Sequence, residues 1–304
     1  MISDAAKQFH ALLETLAVED LPSSDTPAPI EQARAASEGW ALATGEPDGV
    51  TYAPVEAGGV AAEWAIPAGA DPDRALLYLH GGGYSVGSIA SHRRLVGHLA
   101  KAAGVRGLSV EYRLAPEDPF PAGLDDAVTA FSWLLREGYE AGRIGVAGDS
   151  AGGGLALATA LALRERGLPA PGGLVLLSPW TDLASTGDSL TGNVGKDLVL
   201  RRVASDAPGI GWYAGDHDVK NPLISPLYAD FADFAPFIVH VGGDELLLDD
   251  ATRLAERASA AGCEVTIEVW PEMQHVFQIA AGNVPESDSS VSKLGAWLSN
   301  RLAD

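Results

Sequence analysis

At 304 residues the chain is long enough for one large α/β domain with a small accessory region, or for two domains. Acidic residues outnumber basic ones 41 to 20, a formal charge of −21, which argues against a phosphate-backbone partner and so against nucleic acid. The single cysteine, Cys263, excludes an intrachain disulfide and fits a reducing compartment. The longest nearly apolar run, Gly152 to Leu163, is too short for the roughly 20 residues that span a bilayer. The N-terminus carries Asp4, Lys7 and Glu14 and no apolar signal region, so no membrane partner and a cytoplasmic location are expected.

Phe9, Leu12, Leu13 and Leu16 recur at helical spacing and predict a first helix near residues 3–17. Pro22, Pro27 and Pro29 mark a loop, followed by a second helix over about 30–44. Eight apolar runs then read as strands: 50–55, 60–66, 75–80, 107–112, 144–148, 174–178, 237–241 and 265–270. Helices are predicted between or after them at 88–103, 122–137, 151–166, 249–261 and 287–302. This alternation implies a mostly parallel sheet with helices on both faces, and Ala57-Gly58-Gly59 implies an antiparallel hairpin at its start. The last strand, Val265–Trp270, is expected to leave an edge that can pair two subunits as a homodimer.

Residues 182–222 break the rhythm with glycines, a polar loop and a helix predicted near 199–213. An insertion after a strand of an α/β sheet lies where ligands bind. The expected organisation is therefore N-terminal cap helices over 1–45 and a core over 46–304, with a cap insertion at about 185–220.

The chemistry starts at Gly148-Asp149-Ser150-Ala151-Gly152, between a predicted strand and a predicted helix. A Gly-x-Ser-x-Gly in that setting is a nucleophile elbow: a tight turn projects the serine hydroxyl above the sheet, beside the helix N-terminus. Serine needs a base within hydrogen-bond reach and an acid to orient that base. Three histidines follow Ser150. His240 lies inside an apolar strand and His217 in a charged loop, whereas His275 lies in the loop after the last strand, where the base belongs. The acid is expected after the penultimate strand. Asp244 stands first in that loop and is the favoured residue, with Glu245, Asp249 and Asp250 as rivals.

Attack on a carbonyl develops an oxyanion, and each preorganised N–H donor is worth on the order of 3 kcal/mol. His80-Gly81-Gly82-Gly83-Tyr84, directly after an apolar strand, supplies glycine N–H groups with no Cβ in the way. Gly82 and Gly83 are the expected donors, with Ala151 N–H completing the hole. The glycines match neither a dinucleotide fingerprint nor a P-loop. Tyr84, Trp212 and Tyr213 are candidates to line the substrate pocket, the last two serving equally well to pack the cap onto the core.

His80–Gly83, Tyr112–Glu117, Gly148–Gly153, Ser178–Asp182, Ile224–Tyr228 and Gly243–Leu247, in that order, resemble the bacterial hormone-sensitive-lipase family of esterases. The resemblance implies an α/β-hydrolase fold, a mostly parallel eight-stranded sheet under a helical cap. It implies triad roles for Ser150, Asp244 and His275 and an oxyanion hole of Gly82, Gly83 and Ala151. The Tyr112–Glu117 motif is expected to buttress the oxyanion loop through its arginine and glutamate. The expected activity is hydrolysis of short-chain acyl esters through an acyl-enzyme, with no cofactor and no metal. Lactone, amide or deacetylase chemistry at the same site is the alternative, a long-chain lipase is a further one, and a non-catalytic small-molecule receptor is a remote one.

Overall fold

A computed structural model describes residues 2–16, 30–200 and 208–303. Every predicted strand forms: β1 (Val50–Ala57), β2 (Val60–Pro67), β3 (Asp71–Leu79), β4 (Val105–Val110), β5 (Ile144–Asp149), β6 (Gly173–Leu177), β7 (Phe237–Gly242) and β8 (Val265–Trp270). They make one sheet in the order β1-β2-β4-β3-β5-β6-β7-β8. Gly58 and Gly59 at the first turn both have positive φ, +69° and +99°, which suits a two-residue hairpin. β2 is antiparallel to both its neighbours and every later pairing is parallel.

The helices are α1 (Asp4–Leu16), α2 (Ile30–Ser37), α3 (Ile89–Ala103), α4 (Ala122–Arg136) and α5 (Ala151–Glu165). Beyond β6 come α6 (Ser189–Gly192) and α7 (Pro208–Ala214), and around β8 come α8 (Leu248–Ala260) and α9 (Pro285–Arg301). The second helix ends earlier than its sequence suggests, tightening into a 3-10 turn over Glu38–Leu42. The helix expected near 199–213 is described only from Pro208 onward, and the short α6 has no periodic signal of its own.

Strand residues alternate between two cores. Leu77 and Leu79 of β3 join Leu124, Phe131, Leu155 and Leu254 under α4, α5 and α8. Leu76 and Tyr78 join Leu95, Leu99, Leu294 and Leu298 under α3 and α9. A period-2 strand with both faces covered reads as a continuous apolar run. The crossovers in turn leave the loops after β3, β5, β7 and β8 on one edge of the sheet, the carboxyl edge.

Candidate active site

β5 runs directly into Ser150, which adopts φ +52° and ψ −122°, a conformation that costs a non-glycine residue energy. Its neighbours hold it there: Ser150 N–H donates to Leu177 O at 2.9 Å, and Ser150 O accepts from Trp180 N–H at 2.8 Å. The turn requires glycine at Gly152, where a Cβ would lie 2.0 Å from Leu79 O and 2.5 Å from His80 O. Ala151 is the first residue of α5 and is fully buried, at the end of the helix where backbone N–H groups lack an intrahelical acceptor.

The loop after β8 carries His275, and the loop after β7 carries its partner. His275 Nδ1 lies 3.1 Å from Glu245 Oε1, with both side chains almost wholly shielded from solvent. Burial disfavours the imidazolium, but the charge and hydrogen bond of Glu245 outweigh it, so the His275 pKa is raised above its ordinary 6.5. Glu245 is itself fixed: Oε2 accepts from Ser178 Oγ at 2.7 Å and from Gly242 N–H at 2.8 Å. Ser178 Oγ also accepts from Val276 N–H at 3.1 Å, so one hydroxyl ties the acid to the histidine loop.

The expectation for Asp244 is corrected here. The carboxylate facing His275 is that of its neighbour Glu245, whereas Asp244 is half-buried and acts electrostatically on His10. The loop dictates the exchange. Asn193 Nδ2 holds Glu245 O at 2.9 Å and Asp197 Oδ2 holds Leu246 N–H at 2.7 Å, and the glutamate side chain folds back onto Gly242. Asp249 and Asp250 serve elsewhere, accepting from Ser189 N–H and from Thr181 and Asp182 N–H respectively. His240 is a core residue hydrogen-bonded to Ser290 Oγ at 2.8 Å, and His217 is exposed, edge-on to Phe120.

The loop after β3 forms the third side. Gly82 has φ +116° and a Cβ there would lie 2.1 Å from Val86 O, so the backbone turn excludes any other residue; Gly83 follows with φ +60°. Gly81 N–H donates to Asp149 Oδ1 at 2.9 Å, and Tyr78 Oη donates to the same oxygen at 2.7 Å. His80 is buried, its ring stacked 4.4 Å from that of Tyr112, while Tyr112 Oη donates to His80 O at 2.7 Å. The expected buttress is therefore present with a change of members. Tyr112 reaches the loop, and Glu117 pairs with Arg34, whose guanidinium also donates to Ser85 O and Ala115 O. Arg113 instead turns away to Asp126 on α4, at 2.8 Å.

Of the pocket candidates, Tyr84 and Tyr213 stack on one another with ring centroids 3.7 Å apart and planes 5° from parallel. Both are nearly fully buried, and Phe120 N–H donates to Tyr213 O at 2.8 Å, so this pair fastens α7 to the loop after β3. Trp212 is half-buried against the core under α4 and α5. Asp149, Ser178, Asn193 and Asp197 are site-shaping residues that sequence reasoning did not single out. The first two lie inside recognised motifs, and the last two carry no local signal. Among the described residues, no group of three or more His, Cys, Asp or Glu is placed to hold a metal ion.

This geometry has close relatives. The profile of a family described as having the alpha/beta hydrolase fold matches residues 76–279. A crystal structure of an esterase from the bacterial hormone-sensitive lipase family superposes over the full length of both chains, with a TM-score of 0.93 and 39% identity. The chain belongs to the bacterial hormone-sensitive lipase family. As a member of that family it is a carboxylic ester hydrolase with an α/β-hydrolase fold. Family members with which it shares sequence include an acetyl-hydrolase of Streptomyces hygroscopicus, 43% identical over 80% of this chain and 81% of the relative. An ethyl acetate hydrolase of Pseudomonas putida is 36% identical over 75% and 73% of the two chains.

Proposed function

We propose that the protein is a serine carboxylesterase acting on short-chain acyl esters, with Ser150 as nucleophile, His275 as general base and Glu245 as the orienting acid. The observation that carries this reading is the buried His275–Glu245 contact of 3.1 Å, on the same sheet edge as a serine held at positive φ. Glu245 on Nδ1 leaves Nε2 as the nitrogen that takes the serine proton. As Ser150 Oγ bonds to the ester carbonyl carbon, its proton passes to His275, and Glu245 stabilises the imidazolium. The carbonyl oxygen becomes an oxyanion facing the N–H groups of Gly82, Gly83 and Ala151. Collapse expels the alcohol, protonated by His275. Water, deprotonated by the same histidine, then releases the acid and regenerates the serine.

Short acyl groups are favoured by the names of two relatives, an acetyl-hydrolase and an ethyl acetate hydrolase. We assign the cap over this site to residues within 1–45 and within the insertion at about 185–220, of which 17–29 and 201–207 lie outside the described residues. The Tyr84–Tyr213 stack supports that assignment for the insertion. The test is hydrolysis of p-nitrophenyl esters from two to sixteen acyl carbons by wild type and Ser150→Ala. A short-chain maximum that vanishes in the variant is expected, and wild-type turnover by Ser150→Ala would overturn the assignment.

A further inference from the structure

Asp149, between the elbow glycine and the nucleophile, is a fully buried carboxylate that takes no part in the proton transfers above. Three groups converge on it. Tyr78 Oη and Gly81 N–H donate to Oδ1, at 2.7 and 2.9 Å, and His92 Nε2 stands 3.3 Å from Oδ2. Gly81 opens the glycine run of the oxyanion loop, and a Cβ on it would lie 2.1 Å from Asp149 Oδ2, so the loop is seated directly on this carboxylate. The residue preceding the nucleophile is thereby bonded to the segment that carries the oxyanion donors.

The far side of His92 meets a serine hydroxyl. Its Nδ1 lies 2.8 Å from Ser91 Oγ. That hydroxyl accepts from Ser88 N–H at 2.9 Å in the capping box of α3 and lies 2.9 Å from Ser88 O, to which it can give its one proton. With the Ser91 proton on Ser88 O, Ser91 Oγ accepts from Nδ1–H while Asp149 accepts from Nε2–H, and a ring that donates from both nitrogens is an imidazolium. An ion pair with a buried carboxylate offsets the cost of burying the charge.

We propose that His92 is a positioning residue of the oxyanion hole, a charged imidazolium on α3 that holds Asp149 and, through it, the Gly81 end of the glycine loop against the nucleophile's strand. The proposal rests on the serine-esterase reading of the site. The ionisable groups around the imidazole are consistent with it. Asp149 favours the imidazolium, as does Glu38 in the 3-10 turn, while burial opposes it, and the balance raises the His92 pKa. His80, stacked 5.7 Å away, stays neutral with its pKa lowered to about 4, chiefly by burial and then by the charge of His92. Glu111, after β4, has its pKa raised mainly by burial, and the His92 charge partly offsets this. Tyr78 and Tyr112 complete the surround, and burial keeps both phenols neutral.

Two near-isosteric variants separate positioning from bulk packing. In His92→Gln the amide nitrogen stands where Nε2 does and still donates to Asp149; in His92→Asn it stands where Nδ1 does and reaches only Ser91. With p-nitrophenyl acetate, His92→Asn is expected to lose on the order of tenfold in kcat with KM within about twofold, because a displaced donor weakens transition-state rather than ground-state binding. Inhibition by a trifluoromethyl ketone, which forms a tetrahedral adduct on the serine, should weaken by the same factor. His92→Gln should recover most of both. Equal kinetics in the two variants, or a loss confined to KM, would overturn the proposal. Nitrogen-15 NMR of the histidines in the wild-type protein supplies a measurement independent of variant folding: both His92 nitrogens should stay protonated to higher pH than those of a free imidazole, and a ring neutral throughout sinks the idea. Ser150→Ala run alongside distinguishes the failures, since retained turnover there removes the serine mechanism itself.

Discussion

Two adjacent acids make the sharpest test at the scale of single residues. Glu245→Gln should lower kcat by about 10⁴-fold, the loss seen when the orienting acid of a triad loses its charge. Asp244→Asn should leave kcat within about twofold, since the side chain does not meet His275. Steady-state kinetics on both variants decides between them. The raised pKa of His275 also sets the pH profile. The base works only when neutral, so kcat/KM should rise with pH through an acid limb lying above the ordinary 6.5. Removing the Glu245 charge leaves burial as the dominant influence, and the limb of the residual activity should move to lower pH. The same shift has a stability counterpart of opposite sense: protonated His275 stabilises the native state at low pH, and that contribution is lost as pH climbs through its folded-state pKa. Ser150 and His275, the proposed nucleophile and base, stood out in the sequence because each stands alone in its loop. The acid was not, since Gly243-Asp244-Glu245 offers two carboxylates side by side. The choice rests on Asn193 and Asp197, about fifty residues earlier in the chain, and on Ser178.

At the scale of elements, the elbow and the cap behave differently. Gly152→Ala places a methyl within 2.0 Å of a backbone carbonyl in a turn that cannot retreat, because β3 is paired on both sides. The expected cost is roughly 3 kcal/mol or more, read as loss of soluble, cooperatively unfolding protein. The cap is fastened by aromatic contact. A double-mutant cycle on Tyr84→Leu and Tyr213→Leu should show a coupling of about 1 kcal/mol by urea denaturation, as expected of a stacked pair. The central strands were readable because both sheet faces are covered there, leaving apolar runs, whereas the half-exposed β1 and β8 showed through their valine, threonine and aromatic content. The insertion was readable only as an interruption. Its helices are short, and α7 is held by Phe120 and Tyr84, from elsewhere in the chain. Asp149 escaped notice for a similar reason: its partners Tyr78, Gly81 and His92 arrive from β3, its loop and α3.

For the molecule as a whole, a formal charge of −21 sets a self-repulsion that salt screens. Raising sodium chloride from 10 to 500 mM should therefore raise the thermal midpoint by a few degrees, measured by scanning calorimetry; a fall would mean that surface pairs such as Arg93–Glu63 outweigh the net repulsion. A different consequence follows from the four loops that meet at the carboxyl edge. They leave β3, β5, β7 and β8, spread from His80 to His275, so no contiguous stretch of chain holds a working centre. On the ribosome, where synthesis runs from the N-terminus, Ser150 emerges well before His275. With Ser150 and His275 acting together as proposed, the nascent protein is expected to gain esterase activity only once β8 has joined the far side of the sheet.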